Sequence, residues 1–437
     1  MGYIRGDGRS QGTLFPVVLD DLIPADHVCR VIDAFVEGLG MANLGFERAE
    51  AAETGRPGYD PRDLLKLYLY GYLNQIRSSR RLEAECRRNV ELMWLLGRLY
   101  PDHKSIAEFR RIHREAVTAA GAELVQLVRS CGLIGGEWIA IDGTKFRAVS
   151  SANSVRERQA LEKYLDSMEK ADEEQHAGID PAAVQAALDK LKQHPEPEVS
   201  FMKVAGTIAP AYNVQTAVEA EHALIVSQTV TLDAADNRSL EPMGEAARKA
   251  LGGSTFNIIA DTGYSNGEQA SRCEEAGLIP HVPAARSVNS AGLLDRSAFL
   301  YQPETDSFLC PEGKPLVRKQ LARKDRAVYY QAKASDCGSC SRKAQCTSAP
   351  QRMVTRHLHD EALNRMHQRA TPALMKLRRS TVEHPFGTLK YRIFGHPRLL
   401  LRGLNGARTE IGLATMAYNL MRMVNLLGAQ KLVQALP

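Results

Sequence analysis

From His27 to about residue 130, apolar residues recur every three or four positions between polar ones, the spacing of helices that bury one face. His27–Leu39 reads as one amphipathic helix after Pro24-Ala25-Asp26. A turn is expected at Gly55-Arg56-Pro57-Gly58-Tyr59, after which Asp60 supplies an N-cap and Pro61 a first helical residue. Leu64, Leu65, Tyr68, Leu69 and Tyr72 line that helix, and Leu82, Cys86 and Val90 a further one after Ser78-Ser79. Ser105-Ile106-Ala107-Glu108 has the form of a capping box, which predicts another helix start. Short helices with tight turns suit a DNA groove, and suit a plain bundle equally well.

Near Gly135 the period changes. Glu137–Ser150 holds a short apolar run, then Asp142-Gly143, then alternation, and is expected to form a strand and a hairpin. Val155–Gln193 is charged, partly Ala-rich and helical in pattern, and reads as an insertion. Ala211–Glu219 and His222–Leu232 read as strands and Leu240–Leu251 as a helix. Phe256–Ala260 is a short apolar strand running into Asp261-Thr262-Gly263-Tyr264. Strands alternating with helices predict an α/β fold. Residues 300–350 show little periodicity; beyond them the chain reads as helical to its end, through Leu374–Lys390 and Arg408–Leu427. The organisation expected is a helical domain over 1–130 and a sheet-based domain over 131–437. The latter carries a mainly helical insertion at 151–200 and a Cys-containing one at 300–350.

Charge sharpens this picture locally. The chain of 437 residues holds 56 Lys+Arg against 51 Asp+Glu, a net +5 that says little by itself. Between Arg352 and Arg408, however, lie 12 Lys/Arg and only three acids, Asp360, Glu361 and Glu383. From Arg77 to Arg114 there are ten Lys/Arg and five acids. One basic run alone reads as a solvated face; two, one of them around a lone Glu, point to a phosphate-backbone partner. No apolar run approaches the roughly 20 residues that span a bilayer, and MGYIRGDGRS has no apolar signal core, so a cytoplasmic protein is expected. Phosphate-loop, G-x-S-x-G and H-E-x-x-H strings do not occur, which removes support for ATP use, serine hydrolysis and thermolysin-like zinc chemistry.

Three carboxylates stand out by position. Asp142 follows Ile139-Ala140-Ile141, Asp261 follows Ile258-Ile259-Ala260, and Glu383 lies in the acid-poor helical stretch. Two strand ends and one packed helix can bring three carboxylates to one point. Hard oxygen ligands suit Mg²⁺ or Mn²⁺, and two such ions about 3.5–4 Å apart can clamp both oxygens of an in-line phosphoryl displacement. Arg379, Glu383 and Lys390 share one face of an ideal helix, where the cations would hold flanking DNA phosphates. Pro385 predicts a kink there. Asp233 and Asp236 are rival acids, although Asp236-Asn237 reads more simply as a turn.

These strings carry a resemblance. Thr381-Val382-Glu383-His384-Pro385-Phe386-Gly387-Thr388-Leu389-Lys390 resembles the third-acid signature of DDE transposases of bacterial insertion sequences, with Arg379 four residues before the Glu and Lys390 seven after it. A Tyr common seven residues before the Glu is replaced by Lys376. Ile141-Asp142-Gly143-Thr144 and Ala260-Asp261-Thr262-Gly263-Tyr264 resemble the first and second acid signatures. Tyr212-Asn213-Val214-Gln215, Met416-Ala417-Tyr418-Asn419-Leu420 and the stretch from Gly55 to Arg114 are similar to the same group, most of all to the branch numbered 1182. The resemblance implies an RNase H-like catalytic domain, a mixed sheet with helices on both faces. It implies Asp142, Asp261 and Glu383 as catalytic ligands of two Mg²⁺ or Mn²⁺ ions. It further implies strand cleavage at transposon ends, strand transfer into target DNA, and a homodimer assembled on double-stranded DNA. A transposase-derived DNA-binding protein without catalysis, and a metal-dependent nuclease, are the alternatives.

Four of the eight cysteines cluster at Cys310, Cys337, Cys340 and Cys346. Cys-x₂-Cys in a Gly-rich turn can give two thiolates to a structural Zn²⁺; free thiols and a redox pair stay open beside it. Cys29, Cys86, Cys131 and Cys273 read as ordinary buried residues, and Trp94 and Trp138 as core.

Overall fold

The computed structural model describes residues 18–50, 58–135, 137–169, 181–253, 255–284, 292–323 and 326–436. Most of the turn expected at Gly55-Arg56-Pro57 lies outside them. The chain folds into two compact units. One comprises Met1–Gly136, Gly143–Ala234 and Thr381–Pro437; the other comprises Glu137–Asp142 and Ala235–Ser380.

In the first unit, helix Val28–Glu37 is capped by His27, whose ring accepts from Cys29 N. Helix Pro61–Leu73 opens as its sequence dictates, with Asp60 accepting from Arg62 N at 2.8 Å. It is buried continuously from Leu64 to Tyr72, so it forms the centre of the helical region. Helix Ser79–Cys86 follows, then the short helix Val90–Leu95, capped by Asn89. The helix expected to start at Ser105 starts at His103 and ends at Ile112. Asp102 is the cap: its Oδ1 accepts from Lys104 N at 2.9 Å and Ser105 N at 3.1 Å, and Ser105 donates its hydroxyl to Oδ2. A carboxylate outcompetes a hydroxyl there because its charge also opposes the helix dipole. Helix Arg114–Ser130 and the long C-terminal helix Gly403–Leu427 complete the core.

That core holds an ion pair. Glu410 is fully buried and accepts from Arg77 Nη1 at 3.0 Å, and from the backbone N–H of Leu400 and Leu401 at 2.6 and 2.5 Å. Arg77 also donates to the carbonyls of Arg398 and Phe394 and stacks on the Phe394 ring; buried Arg110 donates to Arg77 O. Removing Glu410 would strand a buried guanidinium, at about 3–5 kcal/mol. Two cations of the Arg77–Arg114 run are therefore internal, and that run is less of a phosphate-facing surface than its composition suggested.

Strand β1, Trp138–Arg147, stays extended through Asp142-Gly143. The expected hairpin is absent. Strands β2 (Ser200–Val204) and β4 (Ile225–Thr231) lie antiparallel to β3 (Thr207–Glu219), with Ser200 opposite Ala211 and Asn213 opposite Thr231. In the first unit the order is β2-β3-β1. β3 is buried at every position from Pro210 to Glu219, the mark of an inner strand. Helices Ala152–Glu169 and Pro181–Lys192 occupy the region read as a helical insertion; residues 170–180 lie outside the described set.

In the second unit the first half of β1 runs parallel to β5 (Asn257–Ile259), and β5 parallel to β6 (Ile279–His281). Helices Leu240–Ala250, Gly267–Glu275 and Asp360–Arg369 belong to it. Parallel β1, β5 and β6 together with antiparallel β2, β3 and β4 make a mixed α/β fold behind a helical N-terminal region, as the alternation of patterns predicts.

Residues 300–350 differ from expectation. They carry β7 (Leu300–Gln302), β8 (Ser307–Leu309), β9 (Pro315–Ala322) and β10 (Ala327–Ala332), antiparallel in the order β11-β10-β9-β8-β7 with β11 at Met353–His357. β11 falls where the chain read as helical. Among the described residues no helix is long and apolar enough to cross a membrane.

Candidate active site

In the second unit, β1 and β5 are in register from Trp138 opposite Asn257 to Ala140 opposite Ile259. Carried two residues further, that register sets Asp142 abreast of Asp261. Ile139, Ala140, Ile141, Ile258, Ile259 and Ala260 are fully buried, so both strands are anchored up to the acids. Arg378, on helix Pro372–Gly387, links the two: its Nη2 lies 2.5 Å from Asp142 Oδ1 and 3.2 Å from Asp261 Oδ2. Asp261 Oδ1 also accepts from Gly263 N at 2.8 Å, capping the tight turn Thr262–Tyr264.

A further carboxylate stands nearby. A Cβ at Gly263 would lie 2.9 Å from Asp261 Oδ1 and 3.9 Å from Asp236 Oδ2, so this glycine lets the chain pass between two acids. Buried Tyr264 senses the whole group. Burial first, then Asp236, Asp142 and Asp261, hold its hydroxyl well above the usual phenol range, and Arg378 opposes them. Asp236 does form the expected turn, its carbonyl accepting from Ser239 N, but its side chain is also a neighbour of Asp261. Arg378 and Tyr264 are thus neighbours of the acids that sequence reasoning missed, and of the two rival acids Asp236 is the one found beside Asp261. A donor set of carboxylate oxygens around one bridging cation fits a hard divalent metal, because positive charge is already required between Asp142 and Asp261.

Glu383 lies in the first unit, exposed on the same continuous helix Pro372–Gly387. Pro385 is buried and does not end that helix; after Gly387 the chain widens into a π-helix over Thr388–Ile393. Lys390 sits in that wider turn, half-buried, its Nζ 6.0 Å from the centre of the Phe386 ring. The 3.6-residue arithmetic that set Lys390 on the face of Glu383 stops at Gly387. Arg379 is exposed on the helix, in the second unit.

The Arg352–Arg408 run divides in two. Arg365 and Arg369 bind Glu274 at 2.6 and 2.9 Å, and Arg352 donates to the carbonyls of Cys346 and Leu294. Lys376, Arg379, Arg392, Arg402 and Arg408 are exposed. The four clustered cysteines line one cavity and are not in disulfides. Cys29, Cys86 and Cys273 are buried, with thiols that burial pushes up to about 12, 11 and 12. Cys131 is only half-buried. Neither Trp is a core residue: half-buried Trp94 donates to Asp20 at 3.0 Å, and half-buried Trp138 packs on His281.

A family model described as Transposase DDE domain matches residues 136–420, and one described as Transposase domain (DUF772) matches residues 17–111. The chain belongs to the family of transposases with a DDE domain. No curated protein matches it. A solved structure that it resembles is a piggyBac transposase synaptic complex with hairpin DNA, at 10% identity and a TM-score of 0.35, over 94% of this chain and 79% of that one.

Proposed function

We propose that this chain cleaves DNA at the ends of a transposon and joins the freed 3′-hydroxyl to target DNA, with Asp142, Asp261 and Glu383 as its catalytic acids. The observation that carries the reading is the pair of carboxylates set abreast by two neighbouring parallel strands, Asp142 within β1 and Asp261 just after β5, held around one cation. Family membership gives that pair its reaction.

Asp142, Asp261 and Glu383 would hold divalent ions, Mg²⁺ or Mn²⁺. When bound, these supply charge stabilisation at the transferring phosphoryl group and lower the pKa of the attacking oxygen. The chain's own residues do the rest. β1 and β5 fix the two aspartates. Arg379 and Lys390 would hold phosphates beside the scissile one. The helices of residues 1–130 would grip the terminal DNA, largely through the phosphate backbone.

The test is cleavage of a plasmid carrying the DNA that flanks the gene, with Mg²⁺ or with EDTA. Asp142→Ala, Asp261→Ala and Glu383→Ala run alongside. Metal-dependent cuts at the element ends, lost in all three variants, are expected. DNA that is bound and never cut would replace this reading with that of a non-catalytic DNA-binding protein. Cutting without joined strands would leave a nuclease. Cutting that survives Glu383→Ala would move the third role to Asp236.

A further inference from the structure

Far along the second unit from the acids in sequence, the five-stranded sheet has a small core. Phe299, Phe308, Leu316, Val328, Tyr330, Ala332 and Val354 are its buried members, with Cys310, Cys337 and Cys346 packed against them. β9 is exposed at six of its eight positions, so one face of this sheet contributes little burial. Small layers of this kind commonly need a covalent or metal staple.

The four cysteines gather around one cavity, with no three of their sulfurs within 4.8 Å of one another. Cys310-Pro311-Glu312-Gly313-Lys314 makes the turn from β8 to β9. Gly313 takes the left-handed conformation this requires, at φ 70°, and donates to Cys310 O at 2.8 Å. Lys314 N then points back at Cys310 Sγ, 3.3 Å away. On the other limb Cys337 lies in the short helical turn Ala334–Gly338, Cys340 N donates to Cys337 O, and Arg352 N approaches Cys337 Sγ at 3.5 Å. Cys346 closes the next turn. Backbone N–H groups aimed at sulfur favour the thiolate, which is the form that binds metal.

All four cysteines line one cavity of about 30 Å³, floored by Leu316 and Ala332. That exceeds the roughly 10–15 Å³ a single water-sized occupant needs. Lys314, Lys343 and Arg352 line it too, against Glu312 and Asp336, and Glu312 is engaged by Arg342 at 2.9 Å. Four thiolates around a divalent ion leave a double negative charge, and this lining answers it with cations. An all-sulfur set selects zinc over the hard ions that the carboxylates suit.

From the shared cavity and the Cys-x₂-Cys spacing we infer a structural zinc site in which Cys310, Cys337, Cys340 and Cys346 turn their sulfurs inward to bind one tetrahedral Zn²⁺, tying the β8–β9 turn to the segment before β11. The site is independent of the proposed catalytic acids, and it is tested without any DNA reaction. Full-length protein, purified under reducing conditions without chelator, is expected to carry one equivalent of zinc by mass-spectrometric metal analysis. Cys310→Ser and Cys340→Ser should each lose most of that metal, and Cys273→Ser should keep it. Cobalt exchanged into the wild-type chain should give a thiolate charge-transfer band and the intense visible bands of a tetrahedral sulfur site, a readout that does not depend on any variant folding. Three results would overturn the assignment: wild-type protein without zinc after zinc-supplemented expression, cobalt without the thiolate band, or an intact mass showing Cys337 and Cys340 oxidised to a disulfide.

Discussion

Arg378 stands where two carboxylates on adjacent strands would otherwise repel each other. Two like charges about 4 Å apart near a protein surface cost about 4 kcal/mol, so a cation between them is strongly favoured. A guanidinium and a divalent metal answer the same need and would compete for it. Arg378→Gln is therefore expected to tighten Mn²⁺ binding by the free protein about tenfold, equivalent to about 1.4 kcal/mol, while lowering its metal-free melting temperature. Isothermal calorimetry checks the first and a thermal melt the second; unchanged or weaker Mn²⁺ binding would mean that Arg378 does not compete with metal. The nearness of Asp142 to Asp261 was legible in the sequence because an acid ending a run such as Ile139-Ala140-Ile141 has few places to point. Arg378 was not, because which of two neighbouring arginines on a helix turns toward a sheet is decided by packing. The case for Glu383 as the third acid rests on the string around it.

Lys66 shows how one helix turn gathers opposing charges. It is nearly buried in helix Pro61–Leu73, with its ammonium 2.6 Å from both Asp33 and Glu37, and Asp63 sits one turn before it. Burial, partly offset by Lys66 and reinforced by Asp60, Glu37 and Asp33, raises the Asp63 carboxyl to about 6. Folded Asp63 thus holds its proton more tightly than the unfolded chain does, where its pKa is about 3.9. Stability falls as pH rises from about 4 to about 6 and the penalty is complete above that. Asp63→Asn is expected to stabilise the protein against urea at pH 7.5, with the gain shrinking to nothing near pH 4; a gain that is the same at both values would show that the charge is not its cause. The same helix marks what sequence discloses about elements. Its cap, its first residue and its buried positions were all readable, because local chemistry sets them. Strand β9 was unreadable because only Leu316 of its eight residues is buried and Arg318 and Lys319 lie among exposed positions on both faces, which removes alternation. The hairpin expected at Asp142-Gly143 failed for another reason: neighbouring strands hold β1 extended, and an Asp-Gly pair bends only where nothing opposes it.

At the scale of the molecule, composition misleads until the arginines are placed. Arg77, Arg110, Arg352, Arg365, Arg369 and Arg378 all serve internal partners. On the proposed function, the charge that would meet DNA includes exposed residues such as Lys376, Arg379, Arg392, Arg402 and Arg408. Phosphate contacts of this kind reveal themselves through salt, since each one releases condensed counterions and adds about −0.9 to the slope of log affinity against log salt. Arg379→Ala and Lys390→Ala are each expected to flatten that slope by about one on transposon-end duplex, weakening binding alike across sequences. The same titration bears on assembly. On the proposed function one chain carries one set of Asp142, Asp261 and Glu383, and joining both ends of an element to one target at the same time would take two sets. Two chains on two ends should therefore sediment as one 2:2 complex at low salt, and separate into end-bound monomers as salt releases the phosphate contacts that the assembly depends on. A single chain holding two ends at every salt concentration would refute the dimer and would leave both joining reactions to be carried out in turn by one set of acids.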